Sequence, residues 1–269
     1  MMMGIYLSCL LFIPLSNLRG FYTGLFMLAL VGFLDDFREL NHNLKFVAQI
    51  IASIIMVYFS QTVLQSFGDL FSFGPINLGI IAIPLTIFST VGVINAINMV
   101  DGLDGLAGGL SLIAFISFAI LSYINSQTEL MLLSVVLSGA VVAFLRYNWQ
   151  PSKLFMGDAG SLSLGFSLAF LSIAITQKNN SLVPPVAALL ILSVPIVDTL
   201  TIMIKRVLKG KNPFYADKNH LHHILLKFGL DKKDAVKAIL LLSGVFSTIA
   251  LIGTIFKVPD YYLFLIFSL

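Results

Sequence analysis

Residues 95–105 read NAINMVDGLDG and place Asn98, Asp101 and Asp104 at three-residue steps between two apolar runs. A helical continuation would stack the three roughly on one face, and Gly102 and Gly105 leave room beside the carboxylates. Asp and Asn oxygens suit a hard cation such as Mg²⁺. Helix capping accounts for one such residue, not for three with interleaved glycines. Three further polar islands break the apolar sequence: LDDFRE (34–39), FMGDAGS (155–161) and DKNHLHH (217–223). In the first, Asp35 and Asp36 end one apolar run and Lys45 opens the next. Neighbouring carboxylates on a helix point to different faces, and two close ones raise each other's proton affinity, which suits a general base. The plainer reading is a water boundary marked by the Asp pair and a snorkelling Lys45.

Asp158 lies between Gly157 and Gly160 just ahead of the run 161–177. There it, or Ser161, could cap a helix whose N-terminus would also favour a phosphate. His220, His222 and His223 sit in a basic stretch with Asp217, Lys218, Arg206, Lys209 and Lys211. Their spacing does not match HExxH and the chain has one cysteine, Cys9, so zinc is the poorer reading and a disulfide within the chain is excluded. His, Arg and Lys donors fit a phosphorylated anion better. A basic loop drawn to anionic lipid would explain the lysines but not three histidines in four residues.

Membrane helices must position these islands. The chain has 269 residues, 58% hydrophobic and 11% charged, with a mean hydropathy of +0.97. That composition belongs to a polytopic membrane protein rather than a soluble domain or a nucleic-acid binder. Continuous apolar runs without two-residue alternation predict helices, not a barrel. Nine spans or part-spans are expected near 3–16, 21–34, 44–62, 78–97, 109–125, 131–146, 161–177, 183–204 and 237–256, with a tenth from about 260. The fold class is therefore all-α, a transmembrane bundle of about nine to ten spans forming one integral-membrane domain over 1–269, with a long basic loop at 205–236. Residues 63–77, rich in turn formers, predict an outer hairpin or partial strand pair.

Alternating spans put all four islands on one side. That side then carries thirteen of the sixteen Lys and Arg residues, leaving Arg19, Lys178 and Lys257 opposite, which predicts a cytoplasmic site. Carboxylates, a divalent cation and a cationic rim fit phosphoryl transfer, which depends on positioning and charge neutralisation. No GxxxxGK[ST] loop is present, so ATP hydrolysis is unsupported. A site at the bilayer surface suits one lipid substrate and one soluble anionic substrate.

GFLDD (32–36), NAINMVDGLDGLAGG (95–109), FLRYNWQPSKLFMGDAGS (144–161), PIVDT (195–199) and HLHH (220–223), in this order, resemble the polyprenyl-phosphate N-acetylhexosamine-1-phosphate transferase family over about residues 4–256. The resemblance implies a multi-pass enzyme of the bacterial plasma membrane. It transfers a sugar 1-phosphate from a UDP-N-acetylhexosamine to undecaprenyl phosphate, releases UMP and requires Mg²⁺, for which Mn²⁺ can substitute. By motif, Asp35 or Asp36 would deprotonate or orient the lipid phosphate and Lys45 would contact a phosphate. Asp158 would lead the metal ligands with Asn98 second. Asp101 and Asp104 would line the uridine-diphosphate site, and His220, His222, His223 and Arg206 would hold the nucleotide sugar. HLHH without an HHHFE-like run favours the branch acting on UDP-N-acetylglucosamine, which initiates teichoic acid or other surface polysaccharide. A homodimer is implied by the resemblance alone.

The resemblance also implies a further span and a cytoplasmic loop ahead of the residues aligned with Gly4, so an inactive truncated member is one alternative expectation. A secondary transporter is another; it would place its polar groups near the bilayer midplane.

Overall fold

The computed structural model describes residues 15–178, 181–208 and 220–269, with Gly4 and Gly210. The expected span at 3–16 and the residues Cys9, Lys209, Lys211, Asp217 and Lys218 lie wholly or mainly outside the described residues. Among those described, eleven α-helices follow in order: α1 (Leu15–Arg38), α2 (His42–Ser60), α3 (Ala82–Val100), α4 (Leu106–Ile124), α5 (Thr128–Asn148), α6 (Gly157–Gln177), α7 (Pro185–Ile191), α8 (Ser193–Leu208), α9 (Leu221–Lys227), α10 (Lys232–Ile255) and α11 (Asp260–Ser268). The protein is all-α, as its apolar runs predict.

Seven of these helices are long and apolar enough to cross a membrane, and the bent pair α7–α8 makes up to eight. The expected span at 183–204 is found as two helices rather than one, α7 and α8, which meet at 79°. Pro195, in the first turn of α8, has no amide hydrogen to donate back to the carbonyl of Ile191. The Leu192 amide turns back to the Ala188 carbonyl, closing α7. The helix expected from about 260 is α11, nine residues long, too short to be counted a span.

Helix α6 is the axis of the bundle. Its spanning window is 83% buried inside the protein, against 39% for α1 and 33% for α2. Its sequence explains this, because Gly, Ala and Ser occur on every face and let neighbouring backbones approach. Its serines donate to carbonyls one turn back (Ser163 to Ala159 at 2.7 Å, Ser167 to Ser163 at 2.8 Å), which satisfies the hydroxyls without a partner helix. Phe166 then stacks on Phe21 of α1 with ring centroids 5.8 Å apart, and Phe170 lies tilted against the same ring at 4.6 Å. A second, smaller core joins Val100, Leu103, Leu106 and Leu110 to Val194 of α8 and to Ala235, Val236 and Ile239 of α10, with Leu221 and Leu225 of α9 packed against it.

The far end from α6's N-terminus is tied by the hairpin at 63–77. Ser66 and Asn77 form an isolated antiparallel bridge, as the turn formers predict. Gln177, at the end of α6, accepts from the amides of Gln65 and Ser66 at 2.9 and 3.0 Å.

Candidate active site

Three of the four islands meet at the N-terminus of α6, and Asp158 is their centre. Its Oδ2 accepts from Lys45 Nζ of α2 at 2.8 Å, and its Oδ1 accepts from Asn98 Nδ2 of α3 at 3.0 Å. Lys45 also reaches Asp35 Oδ2 of α1 at 3.0 Å. The ammonium and its two carboxylates are largely shielded, at 16%, 12% and 24% exposure for Lys45, Asp35 and Asp158, so these ion pairs act at a lower effective dielectric than surface pairs.

Asp35 and Asp36 diverge as their adjacency on a helix requires. Asp35 Oδ1 accepts from the Leu40 amide at 2.7 Å and so orders the turn that leads into α2. Asp36 accepts from the Asp158 and Ala159 amides at 2.8 and 3.4 Å. This corrects the expectation that Asp158 or Ser161 caps the helix near 161. The helix starts at Gly157, and a carboxylate from another helix satisfies its first amides while sitting at the positive end of the helix dipole. Gly157 has φ +64°, and a Cβ there would lie 2.5 Å from an Asp36 carboxylate oxygen, so glycine is required at this position.

The stretch after Asn98 is also corrected. Helix α3 ends at Val100, and residues 101–105 form turns rather than a helical continuation. Asn98 faces Asp158 and Ser161, while Asp101 and Asp104 belong to the loop beyond. Gly105, at φ +79°, donates to Asn148 Oδ1 at 2.9 Å. Asn148, which the sequence reading did not single out, donates in turn to the Leu154 carbonyl at 2.8 Å and ties this loop to the segment before Asp158. Burial, then the charges of Asp158 and Asp104, push the Asp101 carboxyl up to about 7.

The fourth island joins through the second. His222 is buried and packs on Gly102, where a Cβ would sit 2.6 Å from its Nε2. Its ring stacks parallel to that of His220 with centroids 5.7 Å apart, and His223 lies 4.2 Å away. Burial and the two neighbouring imidazoles lower His222 to about 4, so it is neutral at physiological pH. Asp198 of α8 holds this helix: it receives His220 Nδ1 at 2.9 Å and the Leu221 amide at 2.8 Å. A carboxylate against Nδ1 places the ring proton there. Asp198 was visible in the sequence as part of PIVDT (195–199), with no role assigned to it. Arg206 is buried near the end of the same helix.

One oxygen from each of Asp35, Asp36 and Asp158 lies within 4.8 Å of the others. Three carboxylates against one ammonium leave net negative charge, and their oxygens are the hard donors a divalent cation takes. The cluster therefore fits such an ion. Electrostatically it can hold a cation and, through it and Lys45, phosphate oxygens.

A family model described as glycosyl transferase family 4 matches residues 18–176. A probable undecaprenyl-phosphate N-acetylglucosaminyl 1-phosphate transferase of Bacillus subtilis (strain 168) is 39% identical over 238 residues, covering 88% of this chain and 66% of its own length. Undecaprenyl-phosphate alpha-N-acetylglucosaminyl 1-phosphate transferases of Haemophilus influenzae and of Escherichia coli (strain K12) are 35% and 31% identical. They cover 89% and 90% of this chain and 69% and 68% of their own lengths. The chain thus spans about two thirds of the length of the curated relatives it matches.

Proposed function

The chain belongs to glycosyl transferase family 4, and we propose that it transfers N-acetylglucosamine 1-phosphate from UDP-N-acetylglucosamine to undecaprenyl phosphate, releasing UMP. The observation that carries this reading is the grip on Asp158. Helices α2 and α3 each hold one of its oxygens, while Asp35 and Asp36 of α1 complete an oxygen cluster beside it. Such a cluster at one end of a membrane bundle suits a diphosphate from water and a phosphate from lipid.

In this reading an oxygen of the lipid phosphate forms a bond to the β-phosphorus of the UDP-sugar. The bond from that phosphorus to the bridging oxygen breaks, and UMP leaves with that oxygen. Asp35 or Asp36 orients the lipid phosphate: Asp36, which accepts from the α6 amides, is the more exposed, while Asp35 is held by Lys45 and the Leu40 amide. Lys45 exchanges one of its two carboxylate partners for a phosphate oxygen. Asp158, with Asp35 or Asp36, would hold Mg²⁺ or Mn²⁺, which when bound neutralises charge on the diphosphate. Asn98 keeps Asp158 in place. Asp101 and Asp104 line the nucleotide side, and His220, His222, His223 and Arg206 flank the sugar. The cluster faces the cytoplasm in a bacterial plasma membrane, the side that carries most of the basic residues.

The test uses protein purified into lipid with undecaprenyl phosphate and UDP-N-acetylglucosamine. UMP release and lipid-linked product should appear with Mg²⁺ and vanish with EDTA. Asp158→Asn should lower kcat by roughly 100-fold or more, as removal of a charge-stabilising group in phosphoryl transfer does. Failure to form product from any UDP-N-acetylhexosamine would overturn the reading in favour of an inactive member or a transporter. A phosphorylated Asp35 or Asp36 trapped during turnover would overturn direct attack by the lipid.

A further inference from the structure

Gln49 lies one helical turn beyond Lys45 on α2, and Asn95 one turn before Asn98 on α3. Each amide therefore shares a helix face with a residue that grips Asp158. The two amides meet. Asn95 Nδ2 donates to Gln49 Oε1 at 2.7 Å, and Gln49 Nε2 donates to Asn95 Oδ1 at 3.5 Å. Asn95 Nδ2 also donates to the Val91 carbonyl at 2.8 Å, which holds its side chain in one orientation. Gln49 is 3% exposed.

Apolar side chains hold two membrane helices together without specifying how far one slides along the other. An amide pair shielded between the helices, with Gln49 buried and Asn95 half-buried, does specify it, because a slip of one residue leaves polar groups unpaired where lipid offers no substitute. The register matters here because the site demands it. Lys45 and Asn98, on these same two helices, reach the two different oxygens of a single carboxylate.

We propose that Gln49 and Asn95 are positioning residues for the transfer site: their reciprocal hydrogen bonding fixes α2 against α3 so that Lys45 and Asn98 hold Asp158 from both sides. The inference rests on the proposed role of Asp158 in sugar-phosphate transfer. Among the described residues the hydrogen bonds of the pair run between Gln49, Asn95 and the Val91 carbonyl, not to Asp158, and it acts through the helices that carry Lys45 and Asn98.

The double variant Gln49→Leu with Asn95→Leu removes both amides and leaves neither unpaired. Its thermal unfolding in detergent should stay close to wild type. Its kcat should fall about tenfold or more, while KM for UDP-N-acetylglucosamine changes less than about twofold. The exchanged pair, Gln49→Asn with Asn95→Gln, rebuilds the bond across the helices and should recover kcat to within about threefold of wild type. Gln49→Met, which removes one amide at similar length and leaves Asn95 without it, serves if the double variant does not fold and is read by kcat and Lys45 labelling of the folded protein.

Acylation of Lys45, followed by mass spectrometry, reports the geometry independently of turnover. An ammonium held between two carboxylates reacts slowly, so loss of register should speed its labelling about fivefold or more relative to Lys257. Unchanged kcat with unchanged Lys45 labelling overturns the proposal. So does a loss of activity that matches a loss of folded protein while labelling of the folded fraction stays the same. If wild type transfers no sugar phosphate, the functional reading fails, while Lys45 labelling still decides whether the amide pair sets the register.

Discussion

At Asp101 the fold changes the chemistry of a single side chain. The residue closes α3, and burial together with the charges of Asp158 and Asp104 raises its carboxyl from 3.8 to about 7. A carboxyl raised on folding binds its proton more tightly in the native state. Its contribution to stability is full below about 3.8 and is lost as the pH rises through about 7. In protein kept free of divalent ions with EDTA, Asp101→Asn should therefore gain thermal stability over wild type as the pH rises from about 5 to about 8. Unfolding midpoints across that range check it, and a pH-independent offset would sink the assignment. His222 shows the same influence in the opposite sense. Its ring belongs to a motif rich in basic residues, yet burial keeps it neutral. The motif marked both residues for attention, but their protonation depends on burial, which only the packing of distant elements creates, and for Asp101 also on Asp158 of α6.

At the scale of the element, the short histidine helix α9 depends on a latch. Seven residues are too few for a helix to be stable by itself in water. Packing of Leu221 and Leu225 on the second core supplies part of what it lacks, and Asp198 supplies the rest by receiving both the His220 ring and the Leu221 amide. Hydrogen bonds to a charged group are worth about 1.5–3 kcal/mol each. If the proposed UDP-sugar is the substrate, Asp198→Ala should therefore raise its KM on the order of tenfold to a hundredfold, with a smaller change in kcat. Steady-state kinetics separate the two effects, and an unchanged KM would remove the latch from the site. The same element scale explains the break ahead of α8. The prolines at 184, 185 and 195 mark the neighbourhood of a break in the sequence, but its 79° angle belongs to the tertiary structure, in which α7 joins the main core and Val194 at the start of α8 joins the smaller one.

For the whole molecule, the consequence of alternating spans is polarity. The Asp158 cluster and the His222–Gly102 contact lie at one end, and the Gln177 and Asp260 contacts to the 63–77 hairpin lie at the other. Lys233, at the start of α10, and Lys257, beyond its end, are both exposed and mark the two ends. In a Cys9→Ser background, Lys257→Cys should react with a membrane-impermeant thiol reagent on intact bacteria, whereas Lys233→Cys should react only after permeabilisation. The reverse pattern would place the site outside and contradict the proposed supply of a cytoplasmic UDP-sugar.

Hydropathy and motif order, both local properties of the chain, determined that this is a helical membrane protein with four polar islands at helix ends. Asp35, Asp36, Asn98, Asp158 and His222 could be chosen from type and spacing, whereas Lys45 was singled out through the motif resemblance. The chain could not announce its long-range partners, because a side chain's partner is set by packing between distant elements rather than by its sequence neighbours. Asp36 reaches amides 122 and 123 residues away. Lys45 bridges residues 10 and 113 positions off, and Gln49 pairs across 46. Only the tertiary structure decided these meetings. Helices α1 and α3 pack on α6 and carry α2 between them, which brings all three to one helix end, and there the shielded groups had to satisfy each other's charges and hydrogen bonds.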